Sequence, residues 1–348
     1  MTIRHLGKIG PSIHTSSGTH AGTDLRLVGL NVAFGDTDVV RDVNLHIPAG
    51  TSYGLVGESG SGKSMTCRAI MGILPPGGKS RGQMLLADRD LLTLDPRQMR
   101  AVRGTEVAMV FQDPMSSLNP LLRVGRAIAQ VIQAHNKISA RTARRKAVVL
   151  MNKVGIHDAE ARAKDYPHQF SGGMRQRIVM AMALACKPAL MLADEPTTAL
   201  DVLVQAGVLR LLDDLRTQEH MSLLMVSHDL AVVAGLCDRI GIMYAGELVE
   251  EGRVDEVLTN PRHPYTRALL ASMPETSSSS GSILHTIAGS PPDPGCLPPG
   301  CPFAPRCLHA TQVCRESDVP LLSVSQGHLV RCIHEPGLPP FSLEAGNV

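Results

Sequence analysis

The stretch Gly57-Glu58-Ser59-Gly60-Ser61-Gly62-Lys63-Ser64 decides the fold of this chain. An apolar run, Tyr53 to Val56, precedes it and predicts a buried strand. A second apolar segment, Met65 to Leu74, follows it and predicts a helix that stops before Pro75-Pro76. A strand, a glycine-rich turn and a helix in this order form the context in which the pattern G-x-x-x-x-G-K-[ST] has physical meaning.

This glycine-rich turn is suited to binding phosphate. Its glycines let successive backbone N–H groups turn inward, and the helix that follows adds the partial positive charge of its N-terminus. In such a cradle Lys63 reaches the β- and γ-phosphates, and the Ser64 hydroxyl binds Mg²⁺. The stretch therefore predicts a site for a nucleoside triphosphate.

The composition excludes several classes of protein. A chain of 348 residues that is 43% hydrophobic has ample material for one large core or two modest ones. Its net charge of +2, its 3% aromatic content and its lack of Trp argue against a nucleic-acid partner. The longest apolar run, Ile178 to Cys186, is far shorter than the ~20 residues of a membrane helix. The first 24 residues also lack the apolar core of a secretory signal. We therefore expect a soluble, cytoplasmic chain that reaches a membrane only through other subunits.

The sequence pattern of the rest of the chain is typical of an α/β protein with insertions. Alternating apolar residues from Leu25 to Ile47 predict antiparallel strands. From Val124 to about Gly155 the charged and apolar residues follow helical spacing, which predicts a helical insertion. We expect a flexible tail over residues 1–24 and a linker at Ser277 to Ser280. Beyond Pro291, where Pro, Gly and Cys dominate, we expect little regular structure.

Polar side chains follow three further buried strands. Asp194 ends the apolar run that starts at Ala189, where open α/β sheets place their ligands, and a carboxylate there can hold Mg²⁺. Glu195 is placed to orient and deprotonate an attacking water. Gln112 can reach both Mg²⁺ and water, and a neutral His228 can contact a γ-phosphate oxygen and the water. A single histidine at a strand end is more often structural, but matched groups at the other strand ends reverse that expectation.

The segment Ser171-Gly172-Gly173 forms a second cradle of the same kind. It offers a hydroxyl and bare backbone N–H groups at the start of an apolar helix. It lies far along the chain from Lys63, and one nucleotide does not obviously need two cradles. The residues alone give no reason for the second one.

Together these segments resemble the ATPase subunits of ATP-binding cassette (ABC) transporters. The motifs occur in the family's order across about residues 25–258. They are the Walker A loop at Gly57 to Ser64, the Q-loop glutamine at Gln112, the signature at Phe170 to Gly173, Walker B at Leu190 to Glu195, the D-loop at Ala199 to Asp201 and the switch histidine at His228. Phe34 occupies the position of the aromatic residue that stacks on adenine.

The resemblance implies an α/β fold. This would be a RecA-like P-loop NTPase core with an antiparallel β subdomain and an inserted α-helical subdomain at about residues 118–186. It implies that Glu195 is the catalytic base, assisted by His228, Gln112 and Lys63. The Mg²⁺ ligands that it implies are Ser64, Gln112 and Asp194. The nucleotide-binding residues that it implies are Phe34, Gly57, Glu58, Ser59, Gly60, Ser61, Gly62, Lys63, Ser64, Met65, Gln112, Ser171, Gly172, Gly173, Asp194, Glu195, Asp201 and His228.

The resemblance also accounts for the second cradle. In this family two cassettes pack head to tail, and the Ser171 region of each would cap the γ-phosphate bound by the other. The implied partners are a second ATPase subunit, identical or different, two transmembrane permease subunits and an extracytoplasmic peptide-binding protein, with no nucleic acid. The implied location is the cytoplasmic face of the cell membrane, where ATP binding and hydrolysis would close and open the dimer.

The C-terminal region, from residue 259 to 348, narrows the resemblance to the oligopeptide/dipeptide importers. Residues 260–270 (NPRHPYTRALL) resemble the C-terminal extension of that subfamily, and residues 111–120 (FQDPMSSLNP) also resemble its members. The resemblance therefore covers nearly all of the chain after the N-terminal tail.

The cysteines of this extension predict a metal site. Clustered cysteines in a cytosolic protein point to metal before disulfides. In the subfamily the pattern Cys-x₅-Cys-x₆-Cys with a distant fourth Cys is associated with a [4Fe–4S] cluster, and Cys301, Cys307, Cys314 and Cys332 match that spacing, with Cys296 as a spare. Four thiolates also suit Zn²⁺, and spacing alone does not choose between the two. A tail that binds no metal stays open as a third alternative. We expect a structural role for whichever group is bound.

The predicted function is ATP hydrolysis that powers peptide uptake across a bacterial cytoplasmic membrane. A nickel or glutathione importer ATPase shares the same motifs and stays open as an alternative, because substrate choice resides in other subunits. A non-transport cassette ATPase is a more distant alternative, since such proteins usually carry tandem cassettes, coiled coils or basic arms. An inactive subunit that only binds ATP is disfavoured by the intact Glu195, His228 and Ser171.

Overall fold

The computed structural model describes residues 23–198, 200–273 and 287–333. The predicted N-terminal tail, except for its last two residues, lies outside the described residues, as do the predicted linker at Ser277 to Ser280 and Ala199 of the predicted D-loop. The strands are β1 (Leu25–Phe34), β2 (Thr37–Ile47), β3 (Ser52–Val56), β4 (Gly78–Leu86), β5 (Arg89–Asp90), β6 (Val107–Val110), β7 (Leu190–Asp194), β8 (Ser222–Ser227), β9 (Arg239–Tyr244), β10 (Glu247–Arg253), β11 (Leu322–Ser325) and β12 (His328–Val330).

The strands form two sheets within the described residues. The first is antiparallel, with the order β2-β1-β4-β5, which confirms the antiparallel strands predicted for Leu25 to Ile47. The second is the central sheet, with the order β11-β12-β10-β9-β3-β8-β7-β6. Its strands β9, β3, β8, β7 and β6 are parallel to their neighbours, whereas β10, β12 and β11 add in antiparallel fashion. The carboxyl ends of the parallel strands therefore share one edge, the place where such sheets bind ligands.

Helices cover the central sheet. They are α1 (Lys63–Ile70), α2 (Pro96–Val102), α3 (Pro114–Ser117), α4 (Val124–His135), α5 (Ala140–Lys153), α6 (Ala159–Arg162), α7 (Gly172–Ala183), α8 (Val202–Glu219), α9 (Leu230–Leu236), α10 (Val254–Thr259), α11 (Pro264–Ala271) and α12 (Gln312–Glu316). The helical insertion predicted at about residues 118–186 contains α4 to α7. The first helix is displaced from its predicted range of Met65 to Leu74. It begins inside the glycine-rich turn and ends early, because Gly72 adopts a left-handed φ of 60°.

The central sheet is buried on both faces. Consecutive residues of β3 point into different cores: Leu55 into the one beneath the antiparallel sheet and Val56 into the one beneath the helices. Met191 and Leu192 of β7 likewise point into these two different cores. Near-continuous apolar runs are what a doubly covered parallel sheet requires. No helix among the described residues is both long and apolar enough to span a membrane.

The expectation of little regular structure beyond Pro291 is wrong for the described part of that region. It contains the short helix α12 and the strands β11 and β12, and β12 pairs with β10 through Glu250 opposite Val330 and Glu251 opposite Leu329. A strand of three residues is too short to show an alternating pattern. One of its two backbone partners, β10, lies far back in the chain, so that pairing leaves no local sequence signal.

Candidate functional site

The glycine-rich turn forms a tight loop between β3 and α1, which we call the phosphate loop (residues 57–64). Gly62 has a φ of 102°, in the region that favours glycine. A Cβ atom on Gly57 would lie 2.1 Å from the carbonyl oxygen of Met243, so no larger residue fits there. The turn between β9 and β10 also holds the loop, because the Gly246 N–H donates to the Ser61 carbonyl at 3.1 Å.

Lys63 is buried inside this loop. Its Nζ donates to the carbonyl oxygens of Gly57 and Glu58, both at 2.7 Å, and to Ser61 Oγ at 3.1 Å. Burial lowers the pKa of Lys63 to about 8, and the nearby carboxylates of Glu195, Asp194 and Glu58 oppose that shift. The ammonium group thus lies where a phosphate could compete for it.

Ser64 and Asp194 place two hard oxygen ligands side by side. Ser64 Oγ donates to Asp194 Oδ1 at 2.7 Å, although the residues belong to α1 and β7. Burial raises the pKa of the Asp194 carboxyl group, whereas the hydrogen bond from Ser64 lowers it. A hydroxyl and a carboxylate are ligands that Mg²⁺ prefers, so this pair fits the predicted ion.

The Glu195 carboxylate contacts three other side chains of the site. Its Oε2 accepts hydrogen bonds from Gln112 Nε2 at 3.1 Å and from Thr198 Oγ1 at 2.9 Å, and it lies 3.2 Å from His228 Nδ1. Its backbone has a φ of 46°, a strained conformation for a residue with a Cβ, and its N–H donates to the Val226 carbonyl at 3.0 Å. Strain of this kind is common where a side chain must be aimed at a ligand.

The structure thus brings together most of the residues predicted from the strand ends. Asp194 ends β7, and Gln112, Glu195 and His228 follow β6, β7 and β8. The order β3-β8-β7-β6 places these strand ends along one edge of the sheet. Thr198 was missed by sequence reasoning. The signal was nonetheless local, because a hydroxyl three residues after a carboxylate in a turn can reach back to it.

The second predicted cradle lies at the start of α7. Ser171 caps this helix, with its Oγ accepting from the Met174 N–H at 3.4 Å, and both Ser171 and Gly172 are exposed. Gly173 packs closely against α8, where an added Cβ would lie 2.2 Å from Val204 Cγ1. In the part of the chain that the structure describes, no hydrogen bond joins this segment to the phosphate loop.

Phe34 and Asp201 have structural contacts of their own. The half-buried Phe34 ring, at the end of β1, packs against Gly78, where an added Cβ would lie 2.9 Å from Cε1. Asp201 caps α8 by accepting from the Val204 N–H at 2.9 Å. These contacts do not test the predicted roles in nucleotide binding.

Four cysteines of the C-terminal region line one cavity. They are Cys301, Cys307, Cys314 and Cys332, the set that matched the predicted spacing, and the cavity has a volume of about 20 Å³. Burial raises the pKa of Cys301 to about 11, and the neighbouring thiols of Cys307 and Cys314 add to the shift. Cys296 is exposed and does not line the cavity.

The donor chemistry of this cavity suits a soft metal group. In the described ranges, however, no group of three or more His, Cys, Asp or Glu side chains is arranged to hold a metal ion. The structure therefore places the four predicted ligands around one space without showing a preassembled site for the predicted cluster or zinc.

Comparisons with known proteins agree with this geometry. The ABC transporter family matches residues 40–198, and the family described as the oligopeptide/dipeptide transporter C-terminal region matches residues 249–314. The chain is 48% identical over 299 residues to the oligopeptide transport ATP-binding protein OppD of Bacillus subtilis (strain 168), covering 85% of this chain and 84% of that protein. It is 43% identical over 314 residues to the dipeptide transport ATP-binding protein DppD of the same organism, covering 88% of this chain and 93% of that protein.

Solved structures show the same fold. The ATP-binding cassette MJ0796, in a dimeric post-hydrolysis state bound to ADP and Pi, superposes with a TM-score of 0.59 at 27% identity. The match covers 66% of this chain and 98% of that one.

Proposed function

This chain belongs to the ATP-binding subunits of ABC transporters, and from that premise we propose that it hydrolyses ATP to power peptide import. The observation that carries the proposal is the meeting of the phosphate loop with Asp194, Glu195, Gln112 and His228 at one edge of the central sheet. The match of residues 249–314 to the C-terminal region of peptide transporters supports the substrate class.

In the proposed reaction Glu195 accepts a proton from the water that attacks the γ-phosphate. Gln112, Thr198 and His228 all contact one oxygen of its carboxylate, so they fix its orientation and leave the other oxygen for the water. Lys63 and the loop N–H groups stabilise the charge that develops on the phosphate oxygens.

Ser64 and Asp194 would hold Mg²⁺, with Gln112 as the third predicted ligand. When bound with ATP, the ion neutralises part of the negative charge on the phosphate oxygens. The existing hydrogen bond between Ser64 and Asp194 keeps both oxygens in place for that role.

We propose that a second ATPase subunit completes the site. The exposed Ser171 and Gly172 would cap the γ-phosphate held by the partner, which explains why one chain carries two cradles. The similar cassette that was solved as a dimer with ADP and Pi supports this arrangement. The remaining partners would be two transmembrane permeases and an extracytoplasmic peptide-binding protein, with this chain on the cytoplasmic face of the membrane.

We also propose that Cys301, Cys307, Cys314 and Cys332 hold a structural [4Fe–4S] cluster. The shared cavity and the soft donor set support this assignment.

The test is reconstituted transport. The full chain, assembled with its permeases and binding protein in proteoliposomes, should import labelled peptides in the presence of internal ATP. Glu195→Gln should abolish the import, whereas Glu160→Gln, which alters an exposed carboxylate on α6, should not. Import of nickel or glutathione without import of peptide would refute the peptide assignment.

A further inference from the structure

The phosphate loop is held by the C-terminal region as well as by its own strand and helix. The carboxylate of Glu58, the second residue of the loop, accepts two hydrogen bonds from the Arg306 guanidinium, at 2.7 Å and 3.0 Å. The two residues are 248 positions apart in the chain. The Arg306 side chain is only 5% exposed and the Glu58 side chain is 26% exposed, so this is a partly buried, two-pronged ion pair.

Arg306 is fixed in one orientation. Its Nε donates to the Ala288 carbonyl at 2.8 Å, its Nη1 also donates to the Tyr244 hydroxyl at 3.3 Å, and its Nη2 also donates to the Ile287 carbonyl at 3.2 Å. Every N–H group of the guanidinium therefore has an acceptor. Such a planar fork presents two parallel donors to a carboxylate, and a lysine cannot reproduce it.

A second contact ties the same loop residue to the same region. The Glu58 N–H donates to the Tyr265 hydroxyl at 2.9 Å. Tyr265 lies in α11 and packs against Tyr244 and Phe303, with ring centroids 4.7 Å and 5.4 Å away. Both the backbone and the side chain of Glu58 are thus held by residues that do not belong to the nucleotide motifs.

The charge of Glu58 gives this contact a consequence for phosphate. A carboxylate in a loop that binds a triphosphate repels the ligand unless a cation neutralises it. Lys63 donates hydrogen bonds to carbonyl groups of the loop, and Arg306 is the cation that pairs with the Glu58 carboxylate. The pair both orients the loop and removes a repulsive charge.

The same arginine is joined to the cysteine cavity. Arg306 precedes Cys307 directly, and Phe303 and Ala304, in the turn that carries Arg306, line the cavity together with the cysteines. A structural change in the cysteine cavity therefore occurs next to Arg306, the residue that holds Glu58.

We propose that Arg306 positions the phosphate loop through Glu58, so that the cysteine-bearing C-terminal region sets how tightly this chain holds nucleotide. The inference rests on the proposed ATPase function. Arg306 is a positioning residue, because it acts on phosphate through Glu58 rather than by touching the nucleotide.

The experiment measures the Kd of the full chain for the fluorescent analogue mant-ADP with Mg²⁺, alongside the melting temperature. We expect Arg306→Met to raise the Kd about tenfold, the equivalent of ~1.4 kcal/mol. Glu58→Gln, which keeps the backbone contact with Tyr265, should raise it less because it also removes the repulsive charge. The double variant should bind like Glu58→Gln alone, since the arginine then has no carboxylate to hold.

Arg331→Met is the matched control. This arginine belongs to the same region and donates to the carbonyl groups of Leu248 and Val319, both at 3.0 Å, without contacting the phosphate loop. It should lower the melting temperature and leave the Kd unchanged. A wild-type Kd in Arg306→Met, or an equal rise in Arg331→Met, would overturn the inference.

Two further outcomes are also decisive. If Arg306→Met does not fold, the double-variant series is built on Arg306→Lys and Glu58→Gln instead. Additive effects of these two substitutions on the Kd would then overturn the proposal, and non-additive effects would support it. If the wild-type chain does not bind mant-ADP at all, the ATPase proposal itself fails, and the failure is then distinguishable from a wrong assignment of Arg306.

Discussion

Replacing His328 with glutamine should loosen the attachment of the C-terminal region to the central sheet. His328 begins β12 and is buried, with Nε2 2.8 Å from Glu250 Oε1 and Nδ1 3.3 Å from Glu256 Oε1. Glu250, on β10, is 0% exposed and also accepts from the backbone N–H groups of Arg262 at 2.7 Å and His263 at 2.9 Å. His328 thus joins β12 to β10 through the buried carboxylate of Glu250.

The expected magnitude follows from the burial of Glu250. Removing one partner of a buried ion pair costs about 3–5 kcal/mol, because the other charge stays desolvated. Glutamine can return one neutral hydrogen bond of about 1 kcal/mol, and the two backbone donors remain. We therefore expect His328→Gln to reduce the free energy that holds β12 on β10 by roughly 2–4 kcal/mol.

The effect should depend on pH. Burial by itself would lower the pKa of His328, but the hydrogen bond and charge of Glu250 and the charge of Glu256 outweigh it and raise the pKa above its ordinary value. The added stability is then complete below the unfolded pKa of about 6.5 and is lost as the pH rises through the folded pKa. His263, which packs nearby, does not interfere, because burial lowers its pKa to about 4 and keeps it neutral in this range.

The assay is hydrogen exchange of the β12 amides, expressed as protection factors at pH 6 and pH 9. The variant should lose protection at both values and more at pH 6. His157→Gln, which alters an exposed histidine, serves as the control and should behave as wild type. Equal protection in His328→Gln and wild type at pH 6, or a difference that does not shrink at pH 9, would refute the reasoning.

Two predictions concern the site and the cysteines. Glu195→Gln should keep ATP binding, slow hydrolysis by about 10²–10⁴-fold and accumulate an ATP-dependent dimer on size exclusion; rapid turnover by this variant would contradict its role as base. The chain purified without oxygen should be brown, with a visible absorption band and bound iron that are lost in Cys307→Ser and kept in Cys296→Ser, because only the former residue lines the cavity. A colourless protein with one bound zinc would overturn the cluster assignment.

The convergence of the strand-end side chains could be predicted from sequence because it depends on a general property of parallel sheets. Gln112, Asp194 and His228 each follow a short apolar strand, and parallel strands end at a common edge whatever their order. The order of the strands, β3-β8-β7-β6, was not needed for that prediction. One polar residue at a strand end is more often structural, so the signal came from matched polar groups at several strand ends.

The attachment of the C-terminal region could not be predicted in the same way. Glu58 stands at a position of the motif where any residue satisfies the pattern, so nothing marks it as the partner of Arg306. The pair forms only because α11 and the turn from Ala304 to Arg306 are folded onto the loop. Likewise the pairing of β12 with β10 joins two distant parts of the chain, whereas the other partner of β12 is its neighbour β11.

These separate contacts attach the C-terminal region to the phosphate loop and to the strands beside it. Arg306 and Tyr265 hold Glu58 directly, and β12 is paired with β10, whose hairpin turn holds Ser61 through Gly246. Loosening the contacts of Glu58 therefore acts on the loop directly, whereas loosening β12 acts on β10 and not on the loop itself. His328→Gln should therefore leave the Kd for mant-ADP near the wild-type value, as expected for Arg331→Met, because neither side chain contacts the loop.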